Sequence, residues 1–587
     1  MAVAATMVQM KIAILRHSIR GPRGSMMASA GSLGVLLAAG TIYLAFLEGD
    51  WLAVALAAWM LGWIVGPIFS GGDETLRPEY FSLLGLGPGR LATGLLAAAF
   101  AGLAPVISLL ALAALVVAGA RDGVVAALVA VPAMVLQVAV FVLLSKVTVA
   151  ALGIALGSRL GAIGTGVLNG FILALLGQSW VIAVAFGQGG QIPEFVRYLP
   201  SGWGLLAVQG DYLALAAMAV LIVLLLAAWA ALLTRRAGAN RRSARGRRPM
   251  RAGTARQAVM AKELRTWTRD LVRNHQITFA LAYGVFFAAT PLLLGIPAML
   301  PLAGPIFIAM SAAMTANSYG VDGTAHWLTL MTPGASDVRG RQLAWLVAVG
   351  PLAVLVTVAF TLAAGGPWPL VLAAMCALLG GGAGMVPLVS VYGLIPGIDP
   401  RNRGGNPLRT TEDEGSITGM AYLMLLLVAL TAAPAVVAAV LFGWWGVPIG
   451  IVTGVLWYWG LGLLAERRLA AQGPELLQLM RTGRPPEGGT SAWKMPKMSK
   501  THEVIVMLCW SFGAIPLIPQ GILAAVFVSN GQLRHSWFLA TYMPPGLRWP
   551  TAILMMLIGL AAMGTGAWLY MRAKQREKEP ELPPVYD

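Results

Sequence analysis

The residues best placed to do more than span a lipid bilayer come in a pattern that the chain uses twice. GGDETLRPEYFSLLGLGPGR, residues 71–90, sets Gly71, Asp73, Thr75, Gly85 and Arg90 between two long apolar runs. GVDGTAHWLTLMTPGASDVR, residues 320–339, repeats the spacing with Gly320, Asp322, Thr324, Gly334 and Arg339. Each pair lies 249 residues apart (320 minus 71), as do Arg16 and Arg265, and Arg20 and Arg269. The chemistry on offer is ion pairing and hydrogen bonding, not bond-making. A loop this short holds no core of its own, so Pro78, Tyr80, Phe81 and Leu83 beside Asp73, Glu79 and Arg90 read as a surface shown to a protein partner, with Trp327 in the second copy. Helix capping by Asp73 and headgroup anchoring by Arg90 are the simpler roles. Duplication of the whole segment on one side of the membrane favours docking over capping alone.

Other chemistry is sparse. There is no G-x-x-x-x-G-K-[ST] and no Gly-Lys dipeptide, so no phosphate-cradling loop of that kind is encoded. The five histidines, His17, His275, His326, His502 and His535, lack metal-ligand spacing, and no nucleophile elbow occurs. Cys376 and Cys509 lie far apart in apolar runs and imply no disulfide framework. No catalytic residue, metal or cofactor is expected in this chain. The glycine cluster Gly380–Gly384 reads as close helix packing.

The elements that position these residues are membrane spans. Hydrophobic residues make up 58% of the 587 residues and charged ones 11%, with a mean hydropathy of +0.76, far from a soluble composition. The expected fold is an all-α polytopic membrane protein. A formal charge of +17 would suggest nucleic acid in a soluble protein. Here the basic residues cluster at the ends of apolar runs, the positive-inside pattern, which argues against a nucleic-acid partner.

In order, an amphipathic leader at 1–26 precedes a first six-span half at 27–234. A basic linker with an amphipathic helix, 235–276, leads to a second six-span half at 277–466. A linker at 467–503, two further spans in 504–572 and a charged tail at 573–587 complete about fourteen spans, both termini cytoplasmic. Six spans per half make the repeats parallel, related by a pseudo-twofold axis along the membrane normal. The third span is expected as one run at 91–118. The external loop 188–210, GQGGQIPEFVRYLPSGWGLLAVQ, has only a few residues opposite it near 442–446.

Two six-span halves with amphipathic leaders, a short charged segment after the second span of each, G-x-D-x-T with a downstream Arg in both, and YLPSGW before the sixth span together resemble type-2 ABC exporter permeases. More narrowly, the chain over roughly 8–468 is similar to the fused two-half permeases of actinobacterial antibiotic and polyketide exporters. That resemblance implies a bacterial cytoplasmic membrane and two copies of a separate ABC ATPase subunit that carry the ATP and Mg. It makes 73–90 and 322–339 the coupling segments, with Asp73, Thr75, Tyr80, Phe81, Arg90, Asp322, Thr324, Trp327 and Arg339 as docking residues. It makes Arg16, Arg20, Arg265 and Arg269 markers of the interfacial helices, and Pro193, Tyr198, Pro200 and Trp203 part of an external lid. The cargo would be a hydrophobic or amphipathic small molecule, drug or lipid. Two rivals are weaker: a proton-coupled antiporter needs acids inside its spans, and a lipid-linked glycosyltransferase needs more room than the short loop at Glu48 and Asp50 provides.

Overall fold

The computed structural model describes residues 2–20, 24–47, 50–69, 76, 81, 87–179, 181, 185, 194–237, 250–331, 337–397, 414–483, 496, 498–529, 531 and 538–576. Among them the chain is helical without a strand, and twelve stretches are long and apolar enough to cross a bilayer. It is an all-α polytopic membrane protein. Only helices satisfy every backbone group within a single span, so a chain this apolar has little other choice.

The leader helix α1 (Ala2–Arg20) packs on α4 (Pro88–Phe100), with α2 (Gly24–Leu44) and α3 (Trp51–Phe69) between them in sequence. The expected third span is two helices. After α4 the backbone turns out of helix at Ala101 and Gly102, then resumes as α5 (Leu103–Asp122). Helix α6 (Val124–Ala155) and α7 (Arg159–Gly177) follow, the latter capped by Ser158, whose hydroxyl accepts from Gly161 N–H at 3.0 Å. Two short helices, α8 (Phe195–Tyr198) and α9 (Trp203–Val208), lead into α10 (Leu213–Ala237).

The second leader, α11 (Ala255–Arg269), starts at a Thr254 cap. The threonine hydroxyl accepts from Gln257 N–H while Gln257 Oε1 accepts from Gly253 N–H. It stops at Asp270, whose carboxylate caps α12 (Leu271–Ala289) by accepting from Val272 N–H at 3.0 Å. A 3-10 stretch, Pro297–Leu302, runs into α13 (Ala303–Met314). Short turns α14 (Ser318–Asp322) and α15 (Trp327–Leu330) precede α16 (Asp337–Ala364), which stays continuous although Pro351 stands where the repeat places Gly102. Next come α17 (Trp368–Tyr392), α18 (Glu414–Phe442) and α19 (Gly446–Thr482), the last two joined by Gly443–Trp445 alone. Helix α19 continues sixteen residues past Glu466 into what composition marks as linker, with a non-helical break at Gln472. The C-terminal hairpin is α20 (Lys500–Ile515), α21 (Ala524–Ser529), α22 (Leu539–Tyr542) and α23 (Arg548–Arg576).

Lipid tails are as apolar as leucine, so small residues and close backbone approach hold such helices together. Helix α7 meets α12 through Gly166 and Gly170, where a Cβ would lie 2.7 Å from the His275 carbonyl oxygen and 2.4 Å from that of Phe279. Helix α17 meets α19 through Gly380 and Gly384 in the same way, as the glycine cluster suggests, with Gly454 facing Gly380. The C-terminal hairpin rests against α2, and α20 packs along α23 at Gly559 and Gly566.

Candidate partner-docking site

The second echoed segment begins where α13 ends. Asn317 folds its amide across the chain, its Nδ2 donating to Ile395 O at 2.9 Å while Ile395 N–H donates back to its Oδ1. Tyr319 N–H donates to Ser390 Oγ at 2.8 Å, and Gly397 N–H donates to Gly320 O at 3.0 Å. Gly320 is required here, because a Cβ would meet Ile395 O at 2.1 Å. Gly323, in the left-handed region at φ 57°, turns the chain out of α14.

An ion cluster fixes the segment to its neighbours. Arg341, on the first turns of α16, is buried and reaches three carboxylates: Asp337 at 3.0 Å, Glu263 of α11 at 3.0 Å, and Asp322. Lys262 bridges the same Glu263 and Asp322. Stacked on the cluster is the Tyr319 ring, 4.1 Å from the Arg341 guanidinium carbon, with the His326 ring edge-on to it at 5.1 Å. Burial pushes Asp322 toward neutrality, but Arg341 and Lys262 outweigh it and hold the carboxyl well below the usual carboxylate range. Burial raises the Tyr319 phenol, and burial with Arg341 lowers His326. Asp322 is thus an ion-pair partner rather than a helix cap.

Arg339 lies two residues earlier on α16 and points to α19. It pairs with Glu466 at 3.3 Å, donates to the Tyr458 and Trp459 carbonyls, and packs its guanidinium 4.3 Å from the Trp459 ring centre. The segment is therefore held by α11, α16, α17 and α19 at once. Its outer side is apolar: Trp327, Leu328 and Met331 are exposed, beside exposed Thr324.

No family model, curated protein or solved structure matches this chain. The geometry alone therefore supports any reading of the site.

In the first segment, Asp73, Thr75 and Tyr80 lie outside the described residues. Phe81 is buried with Leu76 in a small core built from Met7, Leu95, Ala98, Ala150 and Trp229, so its ring serves the chain's own packing. Arg90, the counterpart of buried Arg339, is exposed on the first turn of α4. On the leader helices Arg16 and Arg269 are exposed and Arg265 half-buried, while the Arg20 side chain lies outside the description.

At the opposite end of the spans, Pro193 is outside the described residues. Exposed Tyr198 accepts at its carbonyl from Trp203 Nε1 at 2.9 Å. Buried Gln137 of α6 grips the turn between α8 and α9, donating to Pro200 O at 2.9 Å and accepting from Gly204 N–H at 3.3 Å. Arg197 Nε donates to Asp50 at 2.5 Å, tying this turn to the loop before α3.

Sequence reasoning missed Lys262, Glu263, Tyr319, Asp337, Arg341, Glu466 and Gln137. Asp337 and Arg341 carry a local signal, an i,i+4 pair of opposite charge beside an apolar run. The other partners have none.

Proposed function

We propose that this chain is the transmembrane permease subunit of an ATP-binding-cassette exporter, with 320–339 as one of two segments that dock a separate ATPase subunit. One observation carries the proposal: an exposed apolar tip, Trp327, Leu328 and Met331, stands on a base fastened to α11, α16 and α19 by the Arg341 and Arg339 ion pairs and to α17 by the Tyr319–Ser390 hydrogen bond. A floppy loop would absorb a push, whereas this base passes it to α16, α17 and α19. Counting α18 and α19 as two spans and α3 as a short one gives six, six and two, the layout of two parallel halves with a C-terminal hairpin. The tight α7–α12 seam then lies between the halves, and a hydrophobic or amphipathic cargo would move along the axis between them. On this reading the docking segments and both termini face the cytoplasm of a bacterial cell. The 3-10 turn Gly443–Trp445, where the first half has the loop 188–210, leaves the external lid to the first half alone.

Purification of the chain from its native host tests the assignment. A nucleotide-hydrolysing subunit should co-purify with the wild type. Trp327→Asp combined with Met331→Asp should reduce the co-purified ATPase by about tenfold, the ratio that ~1.4 kcal/mol of lost contact produces. An unchanged ATPase yield with the double variant would remove the docking assignment.

A further inference from the structure

Helix α19 is built as two pieces joined at one residue. The first piece is pinned where its apolar run ends: Glu466 pairs with Arg339 at 3.3 Å, and the Arg468 guanidinium carbon lies 4.9 Å from the Tyr392 ring centre at the end of α17. The backbone then departs from helix at Gln472, with φ −129° and ψ 17°, and resumes through Gly473 and Pro474 to Thr482. The sequence encodes this break. Pro474 has no N–H to donate and its ring crowds the carbonyl one turn back, while glycine before it adds an entropic cost to a continuous helix. Gly483, in the left-handed region at φ 67°, ends the second piece by donating its N–H to Leu479 O at 2.9 Å.

The second piece, 473–482, has one apolar face and one polar face. Leu476 and Met480, one turn apart, are buried in a cluster with Tyr319, Val391 and Leu394, and Leu469 and Leu479 pack against it. Glu475, Gln478 and Arg481 are exposed. Tyr319 is the ring that stacks on Arg341 in the second echoed segment, and α19 also packs against the 323–326 turn. That segment is therefore held by its ion cluster and by this apolar seat together. A helix as short as 473–482 is marginal in water on its own, so its order and its seating against Tyr319 form one cooperative unit. The first half has no equivalent in sequence. Matching Arg235 to Arg467, an offset of 232 (467 minus 235), puts Ala244 and Arg248 opposite Leu476 and Met480.

We propose that residues 473–482 are a hinged latch on the second echoed segment. Seated, Leu476 and Met480 hold Tyr319 and with it the turns at 318–331; swung away about Gln472, they leave the segment to its polar contacts. The latch itself requires no ATPase. That a released segment would pass less motion to the spans rests on the exporter reading.

Hydrogen exchange of the full chain in lipid nanodiscs tests the latch, followed in peptides from 318–331, 473–482, α7 and α12. Leu476→Ser combined with Met480→Ser should speed exchange of 473–482 and 318–331 by about tenfold, the ratio that ~1.4 kcal/mol of lost packing produces, and leave α7 and α12 unchanged. Leu476→Ala alone, the milder variant should the double one fail to fold, should shift the same two peptides in the same direction. Gly473→Ala with Pro474→Ala, which removes the break and straightens α19, should also free 318–331 although both seat residues are kept. Glu475→Ser with Gln478→Ser, on the exposed face, should leave 318–331 as in the wild type. Wild-type exchange at 318–331 in the Leu476 variants or in the straightened variant, or an equal rise in α7 and α12, would overturn the latch. An unchanged ATPase yield with Trp327→Asp and Met331→Asp would remove the docking assignment and leave this exchange result standing.

Discussion

The two echoed segments share a spacing but not a foundation. In the second, Asp322 is held by Lys262 and Arg341, which also bind Glu263 and Asp337. At the offset of 249 the first copy has Ala13, Ile14, Pro88 and Ala92 where the second has Lys262, Glu263, Asp337 and Arg341. Asp73 therefore has none of the repeat's partners for Asp322 at the matching positions. Arg90 and Arg339 show the same divergence, one exposed, the other buried against Glu466 and Trp459. The two segments share the spacing of Gly, Asp, Thr and Arg in sequence, while the residues that support Asp322 have no counterparts at the matching positions. On the exporter reading, the second segment is a rigid strut, and the two docking points are not mechanically equivalent.

The comparison is easiest to break at Arg341. Arg341→Ala would leave Glu263, Asp322 and Asp337 clustered without their shared cation, and losing one partner of a buried pair costs about 3–5 kcal/mol. Chemical denaturation of the full chain in detergent should show a loss of that size. Ala92→Arg at the matching first-copy position should restore none of it. Next in size is Arg339→Ala, which removes a part-exposed ion pair, two carbonyl contacts and a ring contact. About 1–3 kcal/mol is expected, read in the same experiment.

Acid titration sharpens the comparison further. Asp322 is depressed, so its contribution is fully present above the unfolded carboxylate value of about 3.9 and is lost as pH falls through the lower folded value. The ordering of the 320–331 segment, followed by hydrogen exchange, should hold from neutral pH to below 4 and then fall. Asp322→Asn should flatten that acid limb. Arg90→Ala is the smallest change, within about 0.5 kcal/mol of wild-type stability, because the side chain removed is exposed. A destabilisation of Arg90→Ala matching that of Arg339→Ala would show that the two copies are built alike.

Much of this architecture is legible in the chain. Apolar length and arginine placement mark the spans, the repeat marks the two segments, and the leader α11 is visible as an amphipathic stretch. The Arg341 cluster is not legible, for a physical reason. Glu263 and Arg341 are 78 residues apart and meet only when α11 packs on α16, and searching for matched positions overlooks residues present in one copy alone. Asp270 hides the end of the leader because a capping aspartate between two helices looks like one more polar residue of a single helix. The break after Phe100 had a signal in Gly102 and Pro105, yet the apolar run through it has no polar residue to mark a turn. Pro351 misleads in the opposite sense, since a proline sits inside unbroken α16. Phe81, grouped with the docking aromatics by its neighbours in sequence, turns inward because the small core under α1 takes it.

The most direct test of the account's central claim is photo-crosslinking from position 327. A photoreactive amino acid replacing Trp327, with the chain expressed in its native host, should yield a covalent adduct with a nucleotide-binding ATPase, and that adduct should fall sharply when Arg341→Ala is added. Adducts with lipid or with this chain alone, at unchanged transport, would contradict the claim that ATP-derived motion enters through the second segment.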